Sequence, residues 1–281
     1  MRMAEKSSFN NHALIKLKNQ DWLDKQRVAG KVVAGALSFL QAQIEMNTQL
    51  SMLELNALTE EFILDHKCDL TFKNYKGFPA GVCISINKQL VHGIPTDYHL
   101  QDGDIVSFDL GATYQGAIAD SAITCIYGTP KSERHVKLLD ATEDALMAGI
   151  AAIKVGNRLG CIGHAIAQYA KNERFGLINN YGGHGLDWNV PHAAPFVPNK
   201  AELNEGVRIQ SGLAIAIEPM FVIGSTTTRV LNDGWTVVTD DVGSHQEHSI
   251  FVHEDSVEIL TWRENERYLK SNRLYFNKTT T

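Results

Sequence analysis

Residues 104–120 read DIVSFDLGATYQGAIAD, a stretch whose working parts are Asp109 and Asp120. Ile105, Val106, Phe108 and Leu110 form a β-rich run and residues 118–126 form another, with Gly111, Tyr114, Gln115 and Gly116 between them. An antiparallel hairpin puts paired residues on one sheet face. With the turn centred between Tyr114 and Gln115, Asp109 and Asp120 are expected to be direct partners, their Cβ atoms about 4.5–5.5 Å apart. Two bare carboxylates at that distance repel, and one is driven to protonate. Divalent cations remove the conflict, since a two-metal site needs bridging oxygens between ions about 3.5–4 Å apart. Taken alone, the pair also fits exposed strand carboxylates or cap residues.

The chain of 281 residues has room for one large domain or two smaller ones. At 44% apolar and 21% charged, with a net charge of −6, it offers no basic surface for nucleic acid or membrane. Cys68, Cys83, Cys125 and Cys161 are widely spaced without any CxxC, the pattern of free thiols in a reducing compartment. The opening MRMAEKSSFNNHALIKLK is polar and mixed, and no apolar run is long enough to span a bilayer. A cytoplasmic monomer is the expectation.

Residues 1–14 read as a short polar arm, and residues 15–281 as one domain. Over residues 18–46, Trp22, Val28, Val32, Val33, Leu37, Leu40 and Ile44 recur near the helical period. Ser51 with Glu54 forms a capping-box pattern that opens a second helix to His66. Strand signals follow at residues 81–86, 104–110 and 117–127, with turn carboxylates Asp97 and Asp102 between them. After Gly128-Thr129-Pro130 the cycle repeats. Helices are expected over 131–153 and 159–173, then strands at 213–217, 221–223, 235–238, 248–252 and 257–260. Two helices plus strands, twice over, indicate an α+β domain built from two similar halves.

The second half carries groups able to complete a metal site. YGGHGLDWNVPHAAPFVPN contains His184 and His192, with glycines around the first that let backbone approach closely. LAIAIEPMF places Glu218 at the end of an apolar strand, where a carboxylate is costly to bury unless paired or metal-bound. SHQEHSIFV places Glu247 at the start of another. One His, two Glu and two Asp make an oxygen-rich site suited to a dinuclear arrangement of Mn²⁺, Fe²⁺, Co²⁺ or Zn²⁺, unlike a closed thiolate zinc site. Each residue alone is equally a salt-bridge partner or a packing group.

FDLG at Asp109, Asp120 eleven residues on, GGHG at His184, IEPM at Glu218, DGWTV at Trp235 and QEHSI at Glu247 together resemble the methionine aminopeptidases. Residues 76–95, KGFPAGVCISINKQLVHGIP, match the same family segment, and the ordered resemblance runs over residues 15–262. It implies the pita-bread fold, whose two pseudo-symmetric halves hold a dinuclear site between them. By matching position Asp109 would chelate one ion, Asp120 and Glu247 would bridge both, and His184 and Glu218 would complete the other. The resemblance further implies a metallo-exopeptidase that removes amino-terminal methionine by metal-hydroxide attack on the carbonyl after the first residue. Glu218 would serve as general base, His192 would hydrogen-bond the scissile carbonyl oxygen, and His92 would contact the substrate beside it. Tyr75, Phe78, Cys83 and Trp235 fall at the positions of the first-residue pocket, where sulfur–aromatic contacts suit a thioether. The implied partners are a peptide or nascent-chain terminus beginning with Met and, transiently, the ribosome.

There are departures. Where the family usually has GHGIGRGFH, this chain has GHGLDWNVPH, one residue longer, with Asp187 in place of a glycine. The expectation is that this loop moves His192 or reshapes the pocket rim, and that Asp187 contacts the substrate's amino terminus. The short stretch from Glu218 to Glu247 and the absence of a zinc-finger pattern before Ile15 fit the first, bacterial-like type. His245, His248 and His253 are assigned to structure, His248 facing away from Glu247 by strand alternation. The nearest rival reading is an X-Pro aminopeptidase or dipeptidase of the same fold; another is a non-catalytic binding protein on that fold.

Overall fold

The computed structural model describes residues 15–264, 266 and 272–276; the expected arm at 1–14 and the end of the expected domain at 277–281 lie outside them. Helix α1 (Gln20–Glu45) starts where the Asn19 side chain accepts from the Trp22 amide at 3.1 Å. Its inner face buries Trp22, Leu23, Val33, Leu37, Leu40 and Ile44. Val28, counted in the expected stripe, is 37% exposed. Gln26 points inward instead, accepting from Trp22 Nε1 and donating to the Ile118 carbonyl, both at 2.9 Å. A buried amide is tolerated there because both its ends are satisfied. Helix α2 (Met52–Asp65) opens with the capping box read from sequence: Ser51 Oγ accepts from the Glu54 amide and Glu54 accepts from the Ser51 amide.

Strands β1 (Asp69–Leu70), β2 (Val82–Ile86), β3 (Gln89–Val91), β4 (Ile105–Tyr114) and β5 (Ala117–Ile126) complete the first half. β4 is central, with β5 along one edge and β2 and β1 along the other. The hairpin departs from the expected register. Its turn residues are Gln115 and Gly116, both at positive φ (48° and 86°), so that Asp109 lies opposite Ala122 and Asp120 opposite Gly111. A two-residue turn with positive φ at both positions favours glycine. Centring it on Tyr114-Gln115 would have left it without one. The two aspartates remain on one face as diagonal neighbours, where about 7–8 Å separates backbones and longer side chains still meet.

The second half contains α3 (Glu133–Ala151), α4 (Gly160–Glu173), β6 (Gly176–Leu177), β7 (Gly182–Asp187), β8 (Val190–Pro198), β9 (Ala214–Ile217) and β10 (Met220–Val222). It continues with β11 (Arg229–Val230), β12 (Val237–Val238), β13 (Gly243–His245), β14 (His248–Val252), β15 (Ser256–Ile259) and β16 (Arg273–Tyr275). Six strands form one sheet in the order β16-β15-β14-β9-β7-β8, and α3 with α4 supplies its core through Leu138, Leu146, Ile150, Ile162 and Ile166. A separate core beneath α1 and α2 joins Val33, Leu37 and Leu40 to Phe108 and Leu110. So each half buries its own helix pair on its own sheet.

The halves are joined along β5. Ala122 and Glu247 exchange backbone hydrogen bonds. Ser249 Oγ accepts from the Asp120 amide and donates to its carbonyl, each at 2.8 Å. Thr124 Oγ1 donates to the His245 carbonyl at 2.7 Å and accepts from the His245 amide at 2.9 Å, and Ser121 Oγ donates to the Glu247 carbonyl. Short hydroxyls let two backbones lie close while the amides and carbonyls they face keep partners. The seam places Glu247 beside Asp120.

Candidate metal centre

Five side chains from five chain segments converge at this seam. Asp109 comes from the middle of β4, Asp120 from β5, His184 from β7, Glu218 from just after β9, and Glu247 from the bend between β13 and β14. None is more than 3% exposed. Their ligand atoms form overlapping groups within 4.8 Å: Asp109, Asp120 and Glu247; His184, Glu218 and Glu247; Asp120, His184 and His192. The first two overlap at Glu247, and the first and third at Asp120. His184 Nε2 lies 3.7 Å from Glu218 Oε1, 3.8 Å from Asp120 Oδ2 and 4.0 Å from Glu247 Oε1. These separations are too long for hydrogen bonds. They suit ligands of one ion, because two groups each about 2.1 Å from it are at most about 4.2 Å apart. His184 Nδ1 faces the Gly185 carbonyl at 3.2 Å, so with its proton there the Nε2 lone pair points to the centre.

Charge makes the same case. Asp109 Oδ1 and Oδ2, Asp120 Oδ1, Glu218 Oε1 and Oε2, and Glu247 Oε1 are all buried without a hydrogen-bond partner among the described residues. None of the four carboxylates forms an ion pair with a described Lys or Arg. Burial pushes Asp109 up to about 7. Burial, then the neighbouring carboxylates, lifts Asp120, Glu218 and Glu247 well above the ordinary range. Burial lowers His184 to about 4 and also lowers His92 and His192, so the imidazoles are neutral and keep a lone pair. Acidic oxygens held together without a lysine or arginine partner among the described residues, beside a neutral imidazole, fit divalent cations.

Gly185 lets β7 carry His184 inward, because a Cβ there would sit 2.0 Å from the Ala194 carbonyl oxygen. The β7–β8 pairing shifts register beside it, between His184 and Gly185 and again before Asp187. Such irregularities re-aim side chains. His192 then stands with its ring 4.5 Å from that of His184 and 5.4 Å from that of Tyr75. Asp187, expected to meet a substrate amino group, is engaged within the chain. It pairs with Lys16 and Lys18, each at 2.8 Å, while Trp188 meets Trp22 edge-on at 4.7 Å. The added loop residue is spent on a strap to α1 because two lysines already neutralise that carboxylate.

Tyr75, Phe78, Cys83 and Trp235 fall in one apolar cluster, together with Phe72, Ile178 and Tyr181. Phe78 and Trp235 meet edge-on at 5.4 Å. Cys83 is the cross-strand partner of Asp109, which sets the cluster directly against the acidic centre. Burial pushes its thiol up, so it stays protonated. His92 is buried at positive φ, with Nε2 unpartnered among the described residues. His248 turns to Thr261 and Glu266, and His253 to Glu258. His245, assigned to structure, has its Nε2 3.5 Å from Glu218 Oε2. Its strand parity is that of Glu247.

A model of metallopeptidase family M24 matches residues 24–254. A methionine aminopeptidase of Mycoplasma capricolum is 41% identical over 250 residues, 88% of this chain and 98% of that protein. The crystal structure of methionine aminopeptidase from Rickettsia prowazekii superposes with a TM-score of 0.85 at 34% identity, covering 89% of this chain and 100% of that one. Prolidase from Pyrococcus furiosus has a TM-score of 0.69 at 18% identity; 89% of this chain is covered, but only 66% of that one, and the likeness is one of fold.

Proposed function

The chain belongs to the methionine aminopeptidases of metallopeptidase family M24, and from that membership we propose how its own residues divide the work. It is a metallo-exopeptidase on the pita-bread fold, and its reaction is release of amino-terminal methionine. The observation that carries the assignment of roles is the set of unpartnered, buried carboxylate oxygens gathered around His184. On this reading two divalent ions bind, drawn from Mn²⁺, Fe²⁺, Co²⁺ or Zn²⁺. Asp109, Asp120, His184, Glu218 and Glu247 would hold them. Bound there, the ions would lower the pKa of a water and polarise the carbonyl after the first residue.

The remaining steps belong to side chains. Glu218 takes the proton of the attacking water and passes it toward the leaving amine, work worth typically about 10²–10⁴-fold. His192, neutral and with neither nitrogen hydrogen-bonded among the described residues, donates to the scissile carbonyl oxygen as charge builds there. His92 contacts the peptide beside the scissile bond. Tyr75, Phe78, Cys83 and Trp235 enclose the methionine side chain and keep water from it. The substrate is the terminus of a peptide or nascent chain, met by a monomer that touches the ribosome transiently.

The test pairs two substrates. Metal-stripped protein supplied with Mn²⁺, Fe²⁺ or Co²⁺ is expected to release methionine from Met-Ala-Ser. Release of the first residue from Xaa-Pro peptides instead would overturn the reading in favour of an X-Pro peptidase.

A further inference from the structure

We propose that His245 is a positioning residue for Glu218: its Nε2–H, 3.5 Å from Oε2, closes to a hydrogen bond with that oxygen and so turns Oε1 toward His184 and the centre. The proposal rests on the reading of Glu218 as metal ligand and base. Glu218 lies between two imidazoles, His184 Nε2 at 3.7 Å from Oε1 and His245 Nε2 at 3.5 Å from Oε2. Only the first joins a group of ligand atoms able to share an ion. The His245 ring is fully buried, and neither of its nitrogens nor Glu218 Oε2 has a hydrogen-bond partner among the described residues. Its placement is fixed from outside the site. Thr124 binds both its amide and its carbonyl, and β13 pairs His245 with Met220, two residues beyond Glu218. Neutral or protonated, the imidazole carries at least one N–H to donate. Orphaned donor and orphaned acceptor face one another, and the unpaired alternative costs more than the bond returns.

Carboxylates that ligate metals are commonly held by such outer hydrogen bonds, whose removal weakens metal affinity or activity about 10–100-fold. Two variants separate the donor from the bulk of the ring. His245→Gln keeps an N–H; His245→Met fills similar space without one. Stripped proteins are titrated calorimetrically with Mn²⁺ and with Co²⁺, and kcat and KM are measured on Met-Ala-Ser. The Gln variant is expected within about threefold of wild type, and the Met variant about 10–100-fold weaker in metal affinity and kcat with KM unchanged. A Met variant equal to wild type, or a Gln variant as impaired as the Met variant, overturns the proposal. Should the Met variant not fold, a Gln variant whose metal affinity falls more than about tenfold is sufficient to reject it. Failure of the underlying reading shows separately, as wild-type protein that neither binds the ions nor releases methionine.

Discussion

In the first half, β4 and β5 pair without interruption from Ile105–Ile126 to Tyr114–Ala117 and deliver Asp109 and Asp120 from within a regular hairpin. In the second, β7 and β8 shift register twice within a few residues, and His184, Glu218 and Glu247 come from three separate segments. A carboxylate that holds charge has two oxygens and tolerates the fixed geometry of a ladder. An imidazole with one lone pair, or a base that must reach a particular proton, has to be aimed. The irregular half does the aiming. Its register shifts and close-approach glycine are local costs that a regular hairpin avoids.

The sharpest way to break this contrast is a pair of isosteric changes. Glu218→Gln is expected to lower kcat on Met-Ala-Ser by about 10²–10⁴-fold, with no recovery at excess metal. Asp109→Asn is expected mainly to raise the metal concentration needed for activity. Full recovery of the first by added Co²⁺ would place both residues in the same role.

Glycine substitutions extend the comparison to stability. Gly185→Ala drives a methyl against the Ala194 carbonyl, whose oxygen and carbon would be 2.0 and 2.5 Å away, and is expected to cost about 3 kcal/mol. Gly116→Ala in the hairpin turn meets chiefly its own positive φ of 86°, at about 1–2 kcal/mol. Urea midpoints that rank the two in the opposite order would count against an over-constrained second half.

Metal-free protein offers a pH test. Asp109, raised from 3.8 to about 7, contributes stability that is complete below the lower value and lost as pH climbs through the upper one; the other three carboxylates act in the same direction. His184 at about 4 and His245 at about 3 act oppositely, giving up stability as pH falls below 6.5. Above 6.5 only the carboxylates remain, so Tm of the stripped protein should fall as pH rises through 7, and Mn²⁺ should abolish the slope. A Tm that rises over that interval contradicts the unpartnered state of these acids.

The smallest effect is expected at the strap. Asp187→Ala releases Lys16 and Lys18 and should cost about 1–3 kcal/mol while kcat stays near wild type. A large loss of turnover, read as release of methionine, would return Asp187 to the substrate.

Legibility followed the same division. Helix starts, the capping box at Ser51 and the long hairpin are written in short-range patterns, and all appear where those patterns place them. The hairpin register did not, because one turn glycine outweighs the pairing that would set two acids face to face. β7 and β8 carry no strand signal: GGHG lacks β-formers, and Pro191, Pro195 and Pro198 interrupt the other. Their pairing depends on contacts with β9 that no local window contains. The inward turn of Gln26 and the approach of His245 to Glu218 carry no local signal for a related reason. A polar residue is welcome in a core only when a distant partner meets it, and that partner is invisible in one dimension.

The join along β5 has a bearing on conditions of use. Ser121, Thr124 and Ser249 clasp backbone amides and carbonyls, and none of these groups ionises between mild acid and mild alkali. Added electrolyte or a shift in acidity can therefore alter what the acidic cavity attracts while leaving its walls at the same spacing.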